Sequence, residues 1–214
     1  MSNLLKRRQM MLVEKPVFYN NLYFDGAAYI DTDIIPTGQN TFRVSIGYES
    51  QKSAQHVYDF LTTNGRVRLS YGSNTTSTTR KVNIWYDGSG SGSLKSVDVA
   101  FSVDYYSTIL TPYRFFYYSE KTEFSGGGNG VGTGPLVIGA LSSHSGNFFT
   151  GRISQFRIYG PDAKDITVGS QLNNYTPVIT LRPCTYKGEA GLWYVEGNKF
   201  YGNTAGSGTL TASN

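Results

Sequence analysis

Hydrolysis of a glycosidic bond needs two carboxylates flanking the scissile linkage. The glutamates here are Glu14, Glu49, Glu120, Glu123, Glu189 and Glu196, and none has an aspartate two residues on, the spacing that would put both on one face of a strand. Glu120 and Glu123 stand three apart and face opposite sides of any strand, so a solvated strand end is their expected role. His56 and His144 are the only histidines and Cys184 the only cysteine, which leaves too few soft ligands for a zinc cage. The lone cysteine also rules out an internal disulfide and points to synthesis in a reducing cytoplasm. Ser143-His144 has no orienting acid beside it, so a loop histidine is expected rather than a triad member. Asp31 with Asp33, and Asp162 with Asp165, are the pairs that could offer oxygen ligands to calcium; edge solvation accounts for them equally well. The glycine-rich run 126–134 has neither a dinucleotide fingerprint nor a Lys-Ser/Thr phosphate loop, and no helix follows it. No cofactor and no enzymatic activity are expected.

What remains is surface chemistry. Sugars are held by aromatic platforms and planar polar groups, and Trp85, Phe116 and Tyr118 are the candidates for a glycan or protomer contact. Each stands opposite the apolar set of its own strand: Trp85 opposite Val82, Ile84 and Tyr86, and Phe116 with Tyr118 opposite Tyr113, Phe115 and Tyr117. In a sandwich with a covered outer face both sets would be buried instead. Lys6, Arg7 and Arg8 form the one basic cluster and are candidate anchors to a phosphate backbone or an acidic protein surface. The net charge of +4 is otherwise dispersed, and specific nucleic-acid binding is not expected.

The elements that must position these residues are strands. Gly at 25, Tyr at 17 and Phe at 12 suit strands joined by tight turns, and charged residues at 16% fall below the roughly 25% of an average domain. Phe42, Val44, Ile46 and Tyr48 alternate over Thr41–Tyr48, a half-buried strand. Similar alternation marks Val57–Leu61, Arg66–Tyr71, Lys81–Tyr86 and Lys95–Val103, with Asn64-Gly65 as a hairpin turn. Thr111–Lys121 reads as one strongly aromatic strand, and Leu136–Gly139 as a short buried one. Between Phe148 and Tyr159 the parity breaks: Ile153 is out of phase with Phe156 and Ile158, and a β-bulge near Ser154-Gln155 would restore all three to the core. One helical or turn segment is expected around Lys164–Asn173. Strands resume at Pro177–Arg182, Gly191–Val195 and Lys199–Tyr201, and Gly206–Asn214 reads as a polar tail. A dozen or so short strands at close spacing mean an all-β sandwich or barrel. The expected organisation is an N-terminal arm over 1–20 and one domain over 21–214. No apolar stretch is long enough to span a membrane, and Met10–Val13 is too short for the core of an export signal.

The stretch Gly134-Pro135-Leu136-Val137-Ile138-Gly139, followed by Phe148–Tyr159, resembles the paired strands of the concanavalin A-like, laminin-G-like superfamily. Tyr29–Thr37 is similar to the "Tyr-Ile-Asp-Thr-Gly-x-x-Pro-Thr" opening of a subgroup common in gut bacteria and their phages. Leu181–Cys184, Gly191–Tyr194 and Asn198–Asn203 resemble that subgroup's closing segments. Asp33 departs from the pattern, standing where a glycine is usual. The resemblance covers roughly residues 22–210. It implies a two-sheet antiparallel jelly roll with lectin-like, non-enzymatic binding.

With no export signal visible, the setting that the resemblance implies is a phage virion surface: a head fibre, capsid decoration or tail-associated protein, made in the host cytoplasm. The arm would anchor it to other virion proteins, the jelly roll would face outward, and the chain would be a homo-oligomer touching cell-surface glycan. The alternative is a carbohydrate-binding module of a gut bacterium.

Overall fold

The computed structural model describes residues 14–48, 55–74, 79–88, 94–100, 106–117, 120–123 and 129–214. Within them the chain forms two antiparallel sheets. In chain order the strands are β1 (Val17–Phe18), β2 (Asn21–Asp25), β3 (Ile30–Asp31), β4 (Thr41–Tyr48), β5 (Gln55–Thr62), β6 (Gly65–Asn74), β7 (Thr79–Gly88), β8 (Leu94–Ala100), β9 (Tyr106–Leu110), β10 (Arg114–Tyr117), β11 (Glu120–Glu123), β12 (Val137–Ile138), β13 (Thr150–Tyr159), β14 (Pro177–Tyr186), β15 (Glu189–Tyr194), β16 (Lys199–Gly202) and β17 (Leu210–Ser213). The larger sheet runs β11-β10-β9-β4-β13-β14-β15-β16, with β2 and β17 joined beside β13 and β1 beside β14. The smaller runs β3-β12-β5-β6-β7-β8. This is the two-sheet antiparallel jelly-roll sandwich that the motif resemblance implies.

The period-two faces close on one another. Phe42, Val44 and Ile46 of β4 meet Val67, Leu69 and Tyr71 of β6 and Val82, Ile84 and Tyr86 of β7 in a single core. Its aromatic centre is Phe42, 5.6 Å from Tyr58 and 5.4 Å from Phe60, with Phe156 set edge-on to Tyr58 at 5.1 Å. Fully burying side chains of this size contributes about 1.5–3 kcal/mol each.

The expected bulge lies in β13. The β4–β13 register shifts between Ile153 and Phe156, and Ile153, Phe156 and Ile158 are all fully buried. At the bulge β13 also changes partner, from β2 over Thr150–Ile153 to β14 over Phe156–Tyr159.

Three expectations need correction. The aromatic run at Thr111–Lys121 is not one strand. The Thr111 side chain accepts the backbone N–H groups of Tyr113 and Arg114, turning the chain between β9 and β10, and β11 folds back on β10. The tail is not merely polar, because Leu210–Ser213 pairs with β2. The segment after Pro161 forms two 3-10 turns, Pro161–Ala163 and Gly169–Asn174. They cover the outer face of the larger sheet, where Ala163, Ile166 and Leu172 bury Ile109, Phe116 and Tyr159 in a second cluster. At the N-terminus, Val17 and Phe18 pair with Thr185 and Cys184, so the sheet begins inside the stretch expected as an arm.

Candidate functional site

The outer face of the smaller sheet is built from residues that alternation keeps out of the core. Strand register sets five of them in one row across neighbouring strands: Asp31 of β3, Val137 of β12, Asp59 of β5, Arg68 of β6 and Trp85 of β7. A second row beside it holds His56, Ser70, Asn83 and Ser96.

The 139–149 loop straps over one half of this face. The Ser142 backbone N–H donates to Asp59 Oδ2 at 2.8 Å, and His144 Nε2 meets Asp31 Oδ1 at 2.8 Å. The His144 ring stacks on Tyr29 at 4.8 Å, and Phe148 lies parallel to Tyr29 at 5.9 Å. Gly139 sets the start of the strap. It takes φ +89°, and a Cβ there would lie 2.8 Å from the Phe24 ring.

The other half is centred on Trp85. Its half-buried indole is covered by the Arg68 guanidinium, whose central carbon lies 3.5 Å from the ring centre. Arg66 Nη1 stands 3.8 Å from Asp59 Oδ2. Asp59 is fully buried and Arg68 is 9% exposed, and among the described residues Asp59 Oδ1, Arg68 Nε, His56 Nδ1 and Gln55 Nε2 find no hydrogen-bond partner. Buried polar atoms in folded proteins are nearly always satisfied, so such a cluster suits water or polar ligand groups. Burial holds the Arg68 guanidinium at about 10, with Asp59 opposing the shift and Arg66 adding to it. Burial, with Arg68 and Arg66 nearby, pushes His56 down to about 4, so the imidazole is neutral at neutral pH. Chemically, the face offers a flat aromatic ring beside guanidinium, carboxylate and imidazole groups.

The sequence candidates part company. Trp85 lies on this face. Phe116 lies on the opposite side of the sandwich, buried under Ile166 and Leu172, so its ring is no open platform. Tyr118, Lys6, Arg7 and Arg8 lie outside the described residues. Asp31 and Asp33 do not share a site, since Asp31 meets His144 while Asp33 accepts from Lys199 and Tyr201. Sequence reasoning missed Arg68, Asp59 and the Tyr29–His144 stack. Parity alone places Arg66 and Arg68 opposite Val67 and Leu69, but setting Arg68 beside Trp85 needs the strand register. It also missed a second aromatic group, where Tyr186 packs 5.3 Å from Trp193 and 5.5 Å from Phe200 at the far end of the larger sheet.

No protein-family model matches the chain, and no curated protein matches it. Solved structures do. One is a "putative carbohydrate binding protein" from Bacteroides ovatus, with TM-score 0.58 and 13% identity over 94% of this chain and 62% of that one. Another is the heptameric SAP-like pentraxin of Limulus polyphemus, with TM-score 0.51 and 14% identity over 64% of this chain and 74% of that one. Tailspike protein 2 of an Escherichia coli O157:H7 bacteriophage aligns at TM-score 0.48 and 13% identity over 68% of this chain and 24% of that one, too slight a likeness to argue from. The fold shared with these structures is therefore a two-sheet antiparallel jelly roll. At these identities the likeness establishes the fold and goes no further. Among the described residues no helix is long and apolar enough to cross a membrane.

Proposed function

We propose that the chain is a non-enzymatic, lectin-like domain that binds carbohydrate at the Trp85 half of the smaller sheet's outer face and is displayed on a phage particle. One observation carries the reading: the Trp85 ring, braced by Arg68, sits in one row with the buried carboxylate of Asp59. A sugar's C–H face stacks on an indole, and its hydroxyls take up planar donors and acceptors alongside. Asp59 is fully buried and Asp31 is engaged by His144, which supports the non-enzymatic reading. The particle setting rests on the motif resemblance at Tyr29–Thr37 and at 181–203.

A glycan array followed by titration calorimetry tests the binding. Selective binding of neutral glycans is expected, with a loss of tenfold or more in W85A and no loss of fold. An array without ligands, or an unchanged affinity in W85A, overturns it. Immunogold labelling of purified phage tests the setting. Label on intact particles supports it, whereas the chain found only in a bacterial envelope fraction favours the gut-bacterial module.

A further inference from the structure

The opposite face of the sandwich carries a second row, of different chemistry. Register aligns Arg157 of β13, Arg43 of β4, Ile109 of β9, Phe116 of β10 and Lys121 of β11. Side chains directly opposite on adjacent strands lie about 4.5–5.5 Å apart at Cβ, and like charges so placed repel. Arg43 and Arg157 are such a pair, and among the described residues no carboxylate lies within ion-pair distance of either. At the far end Lys121 and Arg114 share one carboxylate, Glu123, at 3.0 and 3.3 Å. The row therefore holds an excess of positive charge.

Above the row lies a cavity of about 500 Å³, within the range that holds small ligands. Ile109 and Phe116 line it between Arg43 and Lys121, and the 167–173 segment forms its wall. The Arg43 guanidinium is held in place: Nε donates to Ser107 Oγ at 3.1 Å and Nη1 to Asn173 Oδ1 at 3.1 Å. Among the described residues those bonds use two of the five N–H donors an arginine carries, which leaves N–H groups on the two Nη atoms for a ligand. A planar carboxylate is the group that such a fork binds best. The apolar lining suits the C–H face of a pyranose, and Asn173 with Ser107 suits its hydroxyls.

We propose that this cavity is a second binding site, for an acidic saccharide whose carboxylate meets Arg43 while its ring lies against the exposed Val168 of the wall, above the buried Ile109 and Phe116. The site is independent of Trp85, which stands on the other sheet.

The test is titration calorimetry of the full chain with D-glucuronate, glucose and acetate. Glucuronate is expected to bind at least tenfold more tightly than either control, and to weaken several-fold between 0.05 and 0.5 M salt. R43Q is expected to lose at least tenfold and K121Q several-fold, while W85A leaves glucuronate affinity unchanged. S170W, which fills the mouth from an exposed wall position, is expected to abolish binding with Arg43 in place, and it decides the matter if R43Q fails to fold. Glucuronate binding that is absent, matched by acetate or glucose, insensitive to R43Q and S170W, or lost in W85A overturns the site. Loss of neutral-glycan binding in W85A alone bears only on the first face.

Discussion

The guanidinium of Arg68 lies 3.5 Å from the centre of the Trp85 ring, directly across from it in the β6–β7 pairing. Cation–π contact of this kind contributes about 0.5–2 kcal/mol, more when desolvated. The guanidinium also faces Asp59 across β5–β6, where Arg66 is the other cation at hand. R68M removes both interactions and leaves the buried carboxylate with Arg66 as its one cationic neighbour among the described residues. The expected cost is about 1–3 kcal/mol in urea unfolding. D59N combined with R68M is expected to recover part of it, because the two sites are coupled. Strictly additive losses would separate them.

His56 gives the face a pH dependence whose sign is fixed. Its folded pKa of about 4 lies below the roughly 6.5 of an unfolded histidine. The unfolded chain therefore binds a proton that the fold refuses. Stability from this residue is complete above pH 6.5 and falls as pH drops from 6.5 toward 4. Thermal unfolding between pH 7.5 and 4.5 should show a steeper decline in wild type than in H56Q. Parallel curves would remove His56 as the cause.

Asp87, near the end of β7, ties the β5–β6 hairpin to the 129–130 segment at the end of the smaller sheet. Its carboxylate accepts from Thr62 Oγ1 at 2.7 Å, Asn64 Nδ2 at 3.2 Å, Asn129 N at 2.8 Å and Gly130 N at 2.6 Å. Its own φ of +50° suits Asp or Asn and few others. D87A is expected to cost about 3 kcal/mol, and D87N clearly less, because Asn keeps the backbone and one acceptor. G130A should be similarly damaging, since a Cβ there would lie 2.0 Å from Asp87 Oδ1. Urea midpoints for the three variants check the order.

The parts of this molecule that were legible in the sequence are those that depend on period two. The bulge at Ser154-Gln155 followed from Ile153 being out of phase with Phe156 and Ile158, and the outward position of Trp85 from the Val82, Ile84, Tyr86 set. What depends on register was not legible. Nothing local to Arg68 names Trp85 as its neighbour, and nothing in 139–149 says that Ser142 and His144 reach back to Asp59 and Asp31. Phe116 misled for a related reason. Alternation set it on the outer face, but whether that face is open depends on Ile166 and Leu172, some fifty residues on. The strand at Leu210–Ser213 was hidden because one buried leucine in a polar run makes no alternation.

Asp33 is where the chain departs from the motif it otherwise resembles, and the structure gives the position a task. Its carboxylate accepts from Lys199 Nζ and from Tyr201 Oη, joining the segment after β3 to β16 across more than 160 residues of sequence. Those two bonds hold the Asp33 carboxyl below the usual carboxylate range, while burial and Asp33 itself push the Tyr201 hydroxyl up. A depressed folded pKa stabilises above the unfolded value near 3.9, and that contribution is lost as pH falls below it. Replacing Asp33 with the motif's glycine should therefore destabilise. The expected cost of D33G at pH 7 is about 1 kcal/mol, because the carboxylate is largely exposed. Y201F should cost a comparable amount, and D33G with Y201F little more than either alone. Additive losses in that cycle would mean that the two residues act separately and that D33G acts through the turn.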